Sequence, residues 1–259
     1  MIDVPGYLDT PPLAFAHRGG SGTAGNVGIE NSMVAFAHAY DLGYRYFETD
    51  VRASSDGVVY AIHDEALDRL SGASDTVMSL TSESIDLQRL DQREPFARLE
   101  ALYEAFPDAR LNIDVKSDDV VEHTCALVEA SGAIERTCLA SFSHTRLAEV
   151  RRRLPAVATS ASAREVAMVK LLPLRLLRAL GHPAFVCLQV PVNRGPIRVV
   201  TPRFIRRAHS LGLQVHVWTI DDAAEMRRLL DLGVDGIITD RTDVLKDVLV
   251  ARGSWEGPA

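Results

Sequence analysis

Short β-rich apolar runs recur along the whole chain, with helical stretches between most of them. Nine runs read as strands: 13–16, 45–51, 58–63, 110–115, 137–141, 157–160, 184–190, 214–219 and 236–239. Helical patterns fall at 31–42, 98–105, 119–131, 143–154, 202–211 and 222–232. A strand followed by a helix, repeated, dictates a mainly parallel sheet, because parallel neighbours need a crossover. At 259 residues a closed (β/α)8 barrel accounts for this better than a doubly wound sheet. No glycine fingerprint of the dinucleotide-binding kind follows a strand. The expected architecture is a single α/β domain over 1–259, a TIM-type (β/α)8 barrel. Nine runs exceed eight positions, so one is extra, irregular or wrongly assigned. Residues 64–95 lack clear periodicity and read as a small insertion after the third strand.

Helix ends carry their own signals. Ser143 stands where an N-cap belongs, and Thr201-Pro202 reads as a cap followed by an N1 proline. Gly132, Gly212 and Gly233 each follow a helical stretch, where a left-handed C′ residue is needed.

Composition removes several classes. Apolar runs fall well short of the roughly 18 residues of a membrane span. The N-terminus lacks the basic and apolar regions of a secretory signal. Cys125, Cys138 and Cys187 are an odd set, read as reduced core thiols of a cytoplasmic protein. The net charge of −7 argues against a nucleic-acid partner. The charge is uneven, however. Residues 164–207 hold nine Lys and Arg against the single acid Glu165, which concentrates +8 there and leaves −15 elsewhere.

A barrel builds its site at the C-terminal ends of its strands. Glu48 and Asp50 end the second run at a spacing of two, so both point to one side. Two carboxylates so close need a cation or a basic group between them. Asp114 and Lys116 repeat that spacing. Three carboxylates at one mouth suit a hard divalent cation, Mg²⁺ or Ca²⁺, better than zinc. His17 and His63 also lie at strand ends and suit proton transfer near neutrality. Arg18 adds a fork shaped for phosphate oxygens. Gln189, Trp218 and Asp240 are further polar or aromatic strand-end residues. His216 could face either side of the sheet. His38, His123, His144, His182 and His209 carry no assigned role.

Taken in order, the motifs resemble the glycerophosphodiester phosphodiesterase family. They are Ala16-His17-Arg18-Gly19, Glu30-Asn31-Ser32, Glu48-x-Asp50-Val51, Asp56-Gly57 and His63-Asp64-x-x-Leu67-x-Arg69. Ile113-Asp114-Val115-Lys116, Ser141-Phe142, Val217-Trp218-Thr219 and 233–240 continue the series. The resemblance implies a phosphatidylinositol-phospholipase-C-like barrel. It implies His17 and His63 as catalytic histidines and Glu48 and Asp50 as metal ligands. Asp114, where the family usually has Glu, is a shorter third ligand. Arg18 and Lys116 fall near the phosphate, Glu30 behind the metal shell and Trp218 on the substrate wall.

The implied reaction is metal-dependent hydrolysis of a small glycerophosphodiester to glycerol 3-phosphate and an alcohol. Attack comes from the substrate's own hydroxyl or directly from water. Lysophospholipase D-type or cyclising action on lysophospholipids is the alternative, and a non-catalytic phosphodiester-binding barrel is a third reading. Finally, 166–180 mixes nine large apolar residues with Lys170, Arg175 and Arg178, and Pro173 breaks it into two helices. That segment is either barrel-packing helix or a weak membrane-surface contact.

Overall fold

The computed structural model describes residues 6–181, 183–255 and 257, so His182 and the last two residues lie outside it. Eight strands run parallel: β1 Leu13–His17, β2 Tyr46–Ala53, β4 Arg110–Val115, β5 Thr137–Ala140, β6 Ala158–Thr159, β7 Cys187–Pro191, β8 Gln214–Trp218 and β9 Gly236–Thr239. Their order is β6-β5-β4-β2-β1-β9-β8-β7. The ring closes where Ser160 bridges Cys187, with the Val186 N–H donating to Thr159 O at 3.0 Å. Helices cover the outside, giving the expected barrel.

The extra run is the third. It forms β3, Val59–Ala61, and pairs antiparallel with β2, Val51 opposite Ala61. Only 54–58 separate the two, far too few for the crossover of a dozen or more residues that a parallel neighbour needs. Gly57 makes the reversal: its φ is +85°, and a Cβ there would lie 2.6 Å from the His123 ring.

The insertion follows β3 and returns at helix Leu99–Ala105. It consists of short helical turns and a two-residue ladder, Arg89–Leu90 against Glu94–Pro95. It packs around a core of its own that includes Ile62, Leu67, Leu70, Ile85 and Phe96.

The helix signals act as read. Ser143 and Thr201 accept the N–H groups of Arg146 and Phe204, and Gly233 ends its helix at φ +91°. The lower barrel is filled by Phe15, Tyr46, Cys138, Cys187 and Ile238, with Tyr7 among them. The Tyr46 hydroxyl donates to Tyr7 O at 2.7 Å. His216 faces this interior, fully buried against Phe15. The three cysteines are buried and unpaired. Among the described residues no helix is long and apolar enough to cross a membrane.

Candidate active site

A cavity of about 400 Å³ opens at the C-terminal ends of the strands. Its lining contains eight of the nine residues given a role from sequence: His17, Arg18, Glu48, Asp50, His63, Asp114, Lys116 and Trp218. Strand register brings them together. His17 on β1 lies opposite Glu48 on β2, and Asp50 lies opposite Asp114 on β4. The ninth, Glu30, stands behind them, accepting from Arg18 Nη1 at 2.8 Å.

Both histidines are held by carboxylates through Nδ1. His17 Nδ1 is 2.7 Å from Asp240 Oδ1, which also accepts from the Ser21 hydroxyl at 2.6 Å. The Nε2 atom of His17 lies 3.6 Å from Glu48 Oε2. Burial by itself would lower the His17 pKa, but the charges of Glu48 and Asp240 outweigh it and hold the ring above its ordinary value. His63 Nδ1 is 2.7 Å from Asp64 Oδ1. These contacts favour a proton on Nδ1 and leave Nε2 as the working nitrogen of each ring.

Ion pairs link the two halves of the charged wall. Asp64 accepts from Arg69 Nε at 2.6 Å, and Arg69 grips Glu30 through two bonds of 2.7 and 2.8 Å. Glu30 holds Arg18, whose Nε lies 3.1 Å from Asp50 Oδ2. Lys116 Nζ stands 2.7 Å from both Asp50 and Asp114. Arg18 itself sits at φ +52°, a left-handed conformation that costs a non-glycine residue of order 1–3 kcal/mol. The Arg18 N–H donates to Glu48 O, and its carbonyl accepts from the Asn31 N–H, each at 2.9 Å. The local backbone therefore holds the strained residue in place.

The carboxylates differ in their electrostatics. Burial, with Asp50 adding to it, pushes Glu48 up to about 7. Burial acts on Asp50 too, but Lys116 and then Arg18 override it and hold that carboxyl low. Asp114 is raised by burial, which Lys116 opposes.

The three carboxylates expected to cluster around one ion all line this cavity. Among the described residues no three His, Cys, Asp or Glu side chains form a group that could hold a metal. The Lys116 ammonium stands between Asp50 and Asp114 and neutralises both. Glu48 and Asp50 nevertheless fit a cation: Glu48 Oε2 is buried without a hydrogen-bond partner, and Asp50 Oδ2 beside it faces only the Arg18 guanidinium at 3.1 Å.

The opposite half of the cavity is apolar. Ala161, Val166, Val190, Pro191 and Val199 line it beside Trp218 and Phe142, whose rings meet edge-on at 5.9 Å. Among the described residues Arg194 is the one charged residue on this side, carried by the hairpin of Asn193–Arg194 and Ile197–Arg198. Sequence reading gave no role to Asp240, Asp64, Arg69, Phe142 or Arg194. Asp240 follows β9, and the pairing of Ala16 with Thr239 is what carries it to His17. Asp64, Arg69 and Phe142 stood inside quoted motifs, whereas nothing in the sequence marked Arg194.

A buried carboxylate pair, two carboxylate-braced histidines and two cations at a barrel mouth define a phosphoester-processing barrel. The model of the glycerophosphoryl diester phosphodiesterase family matches residues 17–244, and the chain belongs to that family. It is 40% identical over 253 residues to "Probable glycerophosphodiester phosphodiesterase 2" of Mycobacterium tuberculosis, covering 95% of this chain and 93% of the other. It is 26% identical over 283 residues to "Lysophospholipase D GDPD1" of Mus musculus, covering 91% and 85%. The crystal structure of a glycerophosphodiester phosphodiesterase from Agrobacterium tumefaciens superposes with a TM-score of 0.73 at 28% identity, covering 92% and 99%.

Proposed function

We propose that this enzyme hydrolyses glycerophosphodiesters to glycerol 3-phosphate and an alcohol, with His17 and His63 as its acid–base pair. The observation that carries this reading is the shared bracing of the histidines. Each Nδ1 is fixed by a carboxylate, and both rings line one cavity with Arg18 and Lys116. Arg18 and Lys116 bind the phosphodiester oxygens and neutralise charge that develops on them. One histidine takes the proton from the glycerol 2-hydroxyl as its oxygen bonds to phosphorus. The P–O bond to the alcohol breaks, and the other histidine protonates the departing oxygen. A cyclic phosphate results. Water then opens it, with the histidines exchanging roles.

Glu48 and Asp50 would hold a divalent cation, Mg²⁺ or Ca²⁺, while Asp114 holds Lys116 beside it. When bound, it supplies positive charge at the phosphoryl oxygens. Asp240 and Asp64 keep the imidazoles in one tautomer, and Glu30 holds Arg18 in line. Trp218 and Phe142 wall the space beyond the phosphate. The buried, unpaired cysteines support a cytoplasmic location.

A second reading, action on lysophospholipids, is favoured by the apolar half of the cavity, which could take an acyl chain. The test is a panel of glycerophosphocholine, glycerophosphoethanolamine, glycerophosphoinositol and a lysophospholipid, with Mg²⁺, Ca²⁺ or chelator. The proposal expects release of glycerol 3-phosphate from the soluble diesters and its loss in chelator. Turnover of the lysophospholipid alone would replace the first reading with the second.

A further inference from the structure

Beside the mouth lies a strip of surface that phosphodiester chemistry leaves unused. The chain has 35 acids, yet none falls at 166–220, where eight Lys and Arg do. Helix Ala163–Leu171 begins with its capping box at the cavity, where Ala163 and Val166 contribute to the lining. Pro173 then starts a second short helix, Leu174–Ala179. Leu177 turns into the core, while Leu171, Leu176 and Leu180 are 75%, 45% and 61% exposed.

The hairpin at the mouth is tied to the first helix. Lys170 Nζ donates to Arg198 O at 2.6 Å and to Val199 O at 3.1 Å. Ile197 at the hairpin tip is 57% exposed. Helix and hairpin therefore present one surface, continuous with the cavity rim.

The cations of this surface lack internal partners. Arg175, Arg178 and Arg194 are exposed, and among the described residues none pairs with a carboxylate. Acids on adjoining elements are already engaged, Glu165 by Arg151 at 2.7 Å and Glu225 by Arg228 at 2.6 Å. Unneutralised cations interleaved with outward leucines match an anionic lipid surface in both charge and apolar character.

We propose that this strip docks the enzyme on an anionic phospholipid bilayer. Arg175, Arg178 and Arg194 meet the headgroups, the exposed leucines and Ile197 enter the headgroup–acyl boundary, and the cavity mouth opens at the lipid surface. Each cation beside an anionic bilayer raises partitioning about fivefold.

The test is vesicle co-sedimentation of the full chain. Vesicles of phosphatidylcholine alone are compared with vesicles carrying phosphatidylglycerol, at low and high salt. Wild type should partition onto the anionic vesicles and leave them at high salt. R175E/R178E should lose at least about tenfold, and L176S/L180S should bind more weakly, with the residual binding still sensitive to salt. Hydrolysis of a soluble diester by either variant should stay within twofold of wild type, which also shows that the variants fold. Equal binding to neutral and anionic vesicles, or none to either, overturns the proposal. So does a wild-type dimer in sedimentation velocity that L176S/L180S disperses, because the strip would then be a self-association face. Vesicle binding is measured without substrate, so its failure is distinct from failure of the catalytic reading.

Discussion

Replacing Asp240 isolates the bracing of His17. The carboxylate accepts from His17 Nδ1 at 2.7 Å and from Ser21 at 2.6 Å, and it contacts the ring without lining the cavity. A hydrogen bond to a charged group contributes about 1.5–3 kcal/mol, which corresponds to roughly 10- to 150-fold in rate. Asn keeps an acceptor, so Asp240→Asn should fall near the lower end and Asp240→Ala near the upper.

The pH profile separates this from a loss of folding. Burial lowers the His17 pKa, while Glu48 and then Asp240 raise it above its ordinary value. Removing the Asp240 charge therefore moves His17 downward. The limb of the kcat/KM profile that belongs to His17 should shift to lower pH whether the ring acts as acid or base. The assay is initial-rate hydrolysis of a soluble glycerophosphodiester from pH 5 to 9 with saturating divalent cation. Wild-type kcat/KM and an unmoved limb in Asp240→Asn would refute the bracing argument.

Other perturbations probe the remaining parts of the site. Glu48 is held near 7 by burial and Asp50, so the folded state binds a proton there that the unfolded chain releases at lower pH, and stability falls as pH rises through that window. Glu48→Gln should therefore raise the metal-free Tm at pH 8 by at least about 3 °C and give no gain below pH 4. Divalent cation should raise the wild-type Tm and leave that of Glu48→Gln unmoved, both read by differential scanning fluorimetry. His63→Ala should lower kcat/KM by roughly 10²–10⁴-fold with an unchanged melting curve, whereas a loss of tenfold or less makes His63 structural. Phe15→Ala opens a void in the lower barrel and should cost about 3–5 kcal/mol in urea unfolding.

The architecture was legible because a strand–helix alternation leaves few alternatives, and a barrel fixes which strand ends carry the site. That logic placed His17, Glu48, Asp50, His63 and Asp114 at one mouth. The odd strand was countable but not identifiable until the five-residue connection at 54–58 was weighed against the length of a crossover. Local spacing could not show that Lys116 stands between Asp50 and Asp114, because Asp50 comes from a neighbouring strand in a register fixed by the whole sheet. The contact of Asp240 with His17 was hidden for the same reason, since closure of the first strand on the last brings the two together. The leucines of 166–180 were too evenly spread on a helical wheel to sort. Packing sorted them, burying Leu177 and half-burying Leu174 while turning Leu176 and Leu180 outward.

The central claim is that two braced histidines at one mouth cleave a glycerophosphodiester. It is tested most directly by ³¹P NMR of glycerophosphocholine, incubated with divalent cation and wild type, His17→Ala or His63→Ala. Wild type should replace the diester signal with that of glycerol 3-phosphate, while each variant should leave the diester essentially intact. Equal conversion by wild type and both variants would contradict it.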